Sequence, residues 1–195
     1  MLRAGIVAPL TAATLTLMGG FLAPSVAQQA KFRDASNDVV NLRTDRITTT
    51  RAGIDVRNIR VNFSQRALRI RINHKNLTEA NAFDDQRDGV LLDVRAGNKG
   101  PEWLMHMQHY HYQLYKIENY RQANNPRPRM MRFCGDRVRT NVARDTTLVR
   151  MPDRCFPQAN RVRVYGVFYS KERGYGTRYD AFLGFREYTS WVRRR

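Results

Sequence analysis

An all-β fold, specifically one antiparallel β-sandwich, is what this sequence predicts, and three observations predict it. Ile59, Val61 and Phe63 alternate with Arg60, Asn62 and Ser64, and Leu68, Ile70 and Ile72 alternate with Arg69, Arg71 and Asn73. That period-two pattern, apolar on one side and arginine on the other, marks antiparallel strands with one solvated face. Short strand-like runs recur along the chain, separated by turn-forming clusters, and no long amphipathic helix or internal repeat interrupts them.

The elements follow in order. Met1–Arg3 gives a short positive start, Ala4–Ala23 is apolar, and Pro24-Ser-Val-Ala27 supplies small residues at signal-peptidase spacing. Residues 1–27 therefore read as a signal peptide cleaved before Gln28, leaving 28–195 as a single β-sandwich domain. No later apolar stretch is long enough to span a bilayer as a helix. Ile59–Phe63 and Leu68–Ile72, joined by Ser64-Gln-Arg66, form a hairpin. Val90–Val94 is a nearly continuous apolar run, hence a central strand, and it ends in the turn cluster Ala96-Gly-Asn-Lys-Gly-Pro101. Trp103–Tyr110 and Tyr112–Ile117 are the next two strands. Asn119–Arg129 is a loop, and Arg137–Val142 with Thr146–Met151 is a second hairpin around Ala143-Arg-Asp145. Val162–Phe168 is a further strand, Lys171–Thr177 a polar turn, and Phe182–Val192 closes the chain.

Charge and cysteine content narrow the setting. Of 34 Lys and Arg only Arg3 precedes residue 28, and all 17 acids follow it, so 28–195 carries 33 against 17, a net +16. All but five of the cations are Arg, whose planar fork matches phosphate and carboxylate groups. Cys134 and Cys155, an even pair in an exported chain, read as one disulfide worth about 3 kcal/mol through loop closure.

Several pieces in sequence order carry a resemblance: Asp34-Ala-Ser-Asn-Asp38, Asp55-Val-Arg-Asn-Ile-Arg-Val61, Leu92-Asp-Val94, Gly100-Pro-Glu-Trp103, the Cys134–Cys155 hairpin, Arg161-Val-Arg-Val164 and Tyr188-Thr-Ser-Trp-Val192. Together the chain resembles small exported β-sandwich proteins of actinobacteria, whose architecture is similar to DOMON and family 9 carbohydrate-binding modules. The resemblance implies fold and export and little chemistry. The chain departs from the family pattern after Trp103, where Met and His replace small or ordinary polar residues.

Four sets of residues bear on function. Met105, Met107, His109 and His111 fall on one side of an uninterrupted strand, and thioether with imidazole suits copper. The resemblance to DOMON-like cytochrome modules adds haem to that reading. Residues two apart on a strand sit about 7 Å apart, however, so all four cannot close around one ion. Asp34, Asp38, Asp55, Asp84, Asp85 and Asp88 offer oxygen ligands for calcium, against the simpler expectation of turns and surface ion pairs. Arg57, Arg60, Arg69, Arg71, Arg137, Arg139, Arg161 and Arg163 supply stripes suited to a polyanion. Trp103, Tyr110 and Tyr112 are the aromatic candidates for a carbohydrate.

Catalytic patterns are missing: the chain has no GxSxG, HExxH, phosphate loop or CxxC. The expectation is an exported, non-catalytic binding or structural module of the cell envelope or extracellular space. Its partner is an anionic envelope polymer or polysaccharide rather than nucleic acid, and no cofactor is expected. A copper or haem module using the Met/His segment, and a carbohydrate-binding module, stand as alternatives.

Overall fold

Two antiparallel sheets pack face to face in the computed structural model. It describes residues 28–35, 37–41, 44, 46–47, 54–77, 86–95, 97, 100–108, 111–124, 127, 131–132, 134, 137–172, 176–184 and 186–195. The expected leader, Asp84, Asp85, His109 and Tyr110 lie outside the described residues, as do the side chains of Asp88, Met107, His111 and Tyr112. Among the described residues no helix is long and apolar enough to cross a membrane.

The first sheet runs β1 (Gln28–Arg33), β4 (Val56–Phe63), β5 (Ala67–His74), β11 (Thr146–Pro152), β10 (Arg137–Asn141). The second runs β3 (Arg46–Ile47), β2 (Val40–Asn41), β13 (Gly176–Ala181), β12 (Arg161–Glu172), β6 (Gln86–Asp93), β7 (Trp103–Gln108), β8 (His111–Lys116), β9 (Met131–Arg132). A short β14 (Val192–Arg193) pairs with the start of β12. Both predicted hairpins are present, as β4–β5 and β10–β11. The Ser64 hydroxyl shapes the first turn, accepting from the N–H groups of Arg66 and Ala67 at 3.3 and 3.2 Å. In the second turn, Asn141 Oδ1 accepts from Arg144 N at 3.1 Å, and Asp145 closes it in the left-handed region at φ 50°.

The core lies between the sheets. Ile59, Val61, Phe63, Leu68, Ile70 and Ile72 from the first sheet meet Val90, Leu92, Met105, Val162, Val164 and Phe168 from the second, all fully buried. Each fully buried side chain of this kind contributes about 1.5–3 kcal/mol. The alternation read from the sequence is therefore the inside–outside alternation of a sandwich. A smaller apolar cluster lies on the outer side of the second sheet. There Leu91, Leu104, Tyr115 and Tyr165 are covered by Tyr120 and Ala123 of a one-turn helix, α1 (Tyr120–Asn124), and by Tyr188.

Cys134 and Cys155 form the disulfide, with Cα atoms 5.5 Å apart. It pins the passage from β9 in the second sheet to β10 in the first against the turn after β11, where Cys155 is buried in the core. Three readings need correction. The Asn119–Arg129 loop contains α1, because Asn119 Oδ1 accepts from Gln122 N at 3.1 Å and starts a helical turn. Lys171 and Glu172 extend β12, and Gly176 and Thr177 open β13, so Lys171–Thr177 is not a turn throughout. Among the described residues between Phe182 and Trp191 no strand forms, and β14 follows.

Candidate functional site

The outer face of the first sheet collects most of the predicted arginines. Residues 29, 31 and 33 of β1, 58, 60 and 62 of β4, 69, 71 and 73 of β5, 146, 148 and 150 of β11, and 137, 139 and 141 of β10 point away from the core. Strand register sets them in rows. One row runs Lys31, Arg60, Arg71, Leu148, Arg139, and the next runs Gln29, Asn62, Arg69, Arg150, Arg137. Arg33 heads a third row, otherwise Asn58, Asn73, Thr146 and Asn141.

Eight cations thus share one face, and the five strands that form it contain no Asp or Glu. Neighbouring positions are about 4.8 Å apart across strands and about 7 Å apart along them. Arg60 directly faces Arg71, and Arg150 lies between Arg69 and Arg137. Like charges placed opposite each other weaken a sheet, so this arrangement does nothing for folding. Leu148, 41% exposed, is an apolar spot among them. Arg57 is exposed at the β4 irregularity, beside the same face.

Arg161 and Arg163 go elsewhere. They lie on β12, on the outer side of the second sheet. Arg163 reaches Asp93, its direct partner on β6, through Nη2 at 2.6 Å and Nε at 2.8 Å. Its guanidinium also stacks over Tyr188 and Trp191 at 4.7 and 4.8 Å, and Arg161 stacks over Trp191 at 4.7 Å. These two arginines hold the C-terminal segment against the sheet.

Met105, the first member of the Met/His set, is fully buried in the core. His74, outside that set, is buried as well, with Nε2 3.0 Å from Thr147 Oγ1. Trp103 packs edge-on against Phe156 at 5.2 Å and forms one wall of a cleft of about 410 Å³ that also includes Glu102, Lys116 and Gln158.

The acidic residues converge where the chain crosses from β1 to the second sheet. Oxygens of Asp34, Asp38 and Asp180 lie within 4.8 Å of one another. Each of three carboxylates is held by backbone N–H. Asp34 Oδ1 accepts from Ala35 and Leu183 at 3.0 Å, Asp55 Oδ2 from Asn37 at 2.9 Å, and Asp180 Oδ2 from Val56 at 2.7 Å. A second oxygen of each, together with Asp38 Oδ1, is buried without a hydrogen-bond partner. Lys75 Nζ lies 3.7 Å from Asp55 Oδ2. Burial is the main cause that pushes Asp180 up to about 8 and Asp34 up to about 6, and the neighbouring carboxylates add to it. Asp38 is raised for the same first reason.

Asp34, Asp38 and Asp55 were visible as candidates in the sequence, but Asp180 was not. Its signal was an acid two positions before Phe182, on the core side of a strand concealed by the glycines Gly174 and Gly176. Compared with known proteins, the chain matches no family model, no curated protein and no solved structure.

Proposed function

We propose that this protein is an exported, non-catalytic module that holds an anionic polymer of the cell envelope on the outer face of its first sheet. One observation carries the reading: eight cations stand in registered rows on strands that contain no acid. Surface arginines placed for solubility alone gain from interspersed carboxylates. Here they face one another, and an external polyanion is the partner that relieves the repulsion. Guanidinium groups pair bidentately with phosphate or carboxylate. Their two-dimensional spacing suits a chain of repeating monoanions better than a single small ligand. The disulfide fits an oxidising compartment.

The test is a titration with a phosphate-bearing polymer, a carboxylate-bearing polysaccharide and an uncharged polysaccharide across a salt series. Both anionic polymers bind, with log K falling by about 0.7–0.9 per paired charge for each decade of salt. The uncharged polymer does not bind. Arg69→Ser with Arg150→Ser weakens binding at least tenfold, whereas Arg161→Ser does not. Equal affinity in the Arg69/Arg150 variant removes this face from the reading.

A further inference from the structure

The carboxylate cluster at the β1–β2 crossover is unlike the other acids among the described residues. The sequence offers two cations for every acid. Four acids nevertheless gather within electrostatic reach of one another, and among the described residues the cation against them is Lys75, on Asp55 at 3.7 Å. Asp180 is 1% exposed and Asp55 is 5% exposed. Each is fixed through one oxygen by a backbone N–H, and the other oxygen is buried with no donor.

A buried carboxylate oxygen without a partner is strongly unfavourable unless a proton or a cation attends it. Four such oxygens, from Asp34, Asp38, Asp55 and Asp180, make a single defect of one sign. A shared proton can relieve one pair of carboxylates. One multivalent cation relieves the whole set at once, where protons must be taken up carboxyl by carboxyl.

We propose that Asp34, Asp38 and Asp180 bind one divalent cation of the hard, oxygen-preferring class, calcium foremost, with Asp55 as a neighbouring carboxylate that strengthens the site. Calcium takes oxygen ligands at about 2.3–2.6 Å, so two ligands on opposite sides of the ion lie about 5 Å apart. The three oxygens, all within 4.8 Å of one another, fall inside that sphere. The backbone N–H contacts act as the outer supports that orient liganding carboxylates. The donor set is all oxygen, with no sulfur or imidazole, which disfavours copper and zinc relative to calcium.

The ion would join two separate parts of the chain. Asp34 and Asp38 come from the crossover out of the first sheet, and Asp180 comes from β13 of the second. Leu183, held in the left-handed region at φ 66°, donates to Asp34 and ties the segment after β13 to the same point. Binding therefore fastens one sheet to the other at an end remote in sequence from the disulfide.

The test uses the full mature chain, stripped with EDTA and passed into chelator-free buffer. Calorimetry with Ca²⁺ gives one site per chain, and Mg²⁺ binds more weakly. At a hundredfold excess over Kd, Ca²⁺ raises Tm by about 5–10 °C, and EDTA reverses the rise. Asp38→Asn, at a half-buried position, weakens binding at least tenfold without unfolding the protein. Asp180→Asn, which retains an oxygen for Val56 N–H, abolishes binding. If the Asp180 variant fails to fold, Asp38→Asn alone carries the result. Absence of heat and of any Tm shift at millimolar Ca²⁺ overturns the proposal. So does unchanged affinity in Asp38→Asn. A higher Tm in calcium-free Asp180→Asn, with no calcium response in the parent protein, assigns the cluster to proton sharing and overturns it too.

Discussion

Two regions of this molecule each gather charge of one sign, and they do so under opposite physical conditions. On the outer face of the first sheet, arginines oppose arginines in water. At the β1–β2 crossover, aspartates oppose aspartates with one oxygen of each buried. Water weakens the repulsion within the first set, so the sheet folds in spite of it. The second set has no such screening, and its buried oxygens depend on a proton or an ion. On the proposed reading the Arg face acts in binding, whereas the Asp cluster acts on stability. The contrast can be broken if substitutions on the face change folding, or if those in the cluster change only binding.

The largest expected effect is on the face. Arg69→Glu, Arg71→Glu and Arg137→Glu together should lower affinity for an anionic polymer by about a hundredfold at moderate salt and flatten its salt dependence. The melting temperature should stay within about 2 °C, because the three side chains are solvated and each new acid then stands opposite an arginine, Arg60 or Arg150. A large loss of stability with binding retained would reverse the roles assigned to the two regions.

A second prediction concerns pH. Asp180 is held up to about 8 and Asp34 up to about 6 in the folded chain, against a carboxylate value of about 4 in the unfolded one. The folded state binds these protons more tightly. The stability they contribute is fully present below the unfolded value and is lost as pH rises toward the folded values. In EDTA, thermal melts should therefore weaken from about pH 5 to about pH 8. Saturating Ca²⁺ should remove most of that slope, since the ion stands in for the protons. A flat profile in EDTA would show that the cluster is already compensated.

How much of this was legible in the sequence follows from what period two can encode. It separated inward from outward on β4 and β5, so Arg60, Arg69 and Arg71 were assigned to a strand face residue by residue, while Arg137 and Arg139 were placed on a later strand. It could not say which sheet a strand would join. Arg161 and Arg163 carry the same local pattern, yet belong to β12 and are committed to Asp93, Tyr188 and Trp191. The cluster was half legible. Asp34, Asp38 and Asp55 stand close together in sequence, but Asp180 reaches them only through the pairing of β13 with β12 and β2. The spacing to Phe182 hints at an inward position but not at its partner, the backbone N–H of Val56, 124 positions away.

A smaller effect separates the two kinds of arginine. Asp93 is fully buried, and Arg163, one-third exposed, covers it. Asp93→Asn keeps the shape and removes the charge, so stability should fall by about 1–2 kcal/mol, less than a fully buried pair would lose. Polymer affinity should not change. If it fell as much as in the face variants, the second sheet would also have to be counted as contact surface.

The smallest expected change is the most discriminating. Arg71 stands directly across from Arg60 on β4, and Arg60 Nε is buried without a partner. Arg71→Thr replaces a repelled, flexible side chain with a good strand former. Relief of one opposed pair is worth a few tenths of a kcal/mol, so Tm should rise by about 1 °C. Affinity for the anionic polymer should fall in the same variant, by about three- to tenfold. A residue that costs stability where it stands and returns it as binding is kept for the partner. If Arg71→Thr lowered both, the arginine would be part of the sheet's own packing, and the face would have to be explained by folding after all.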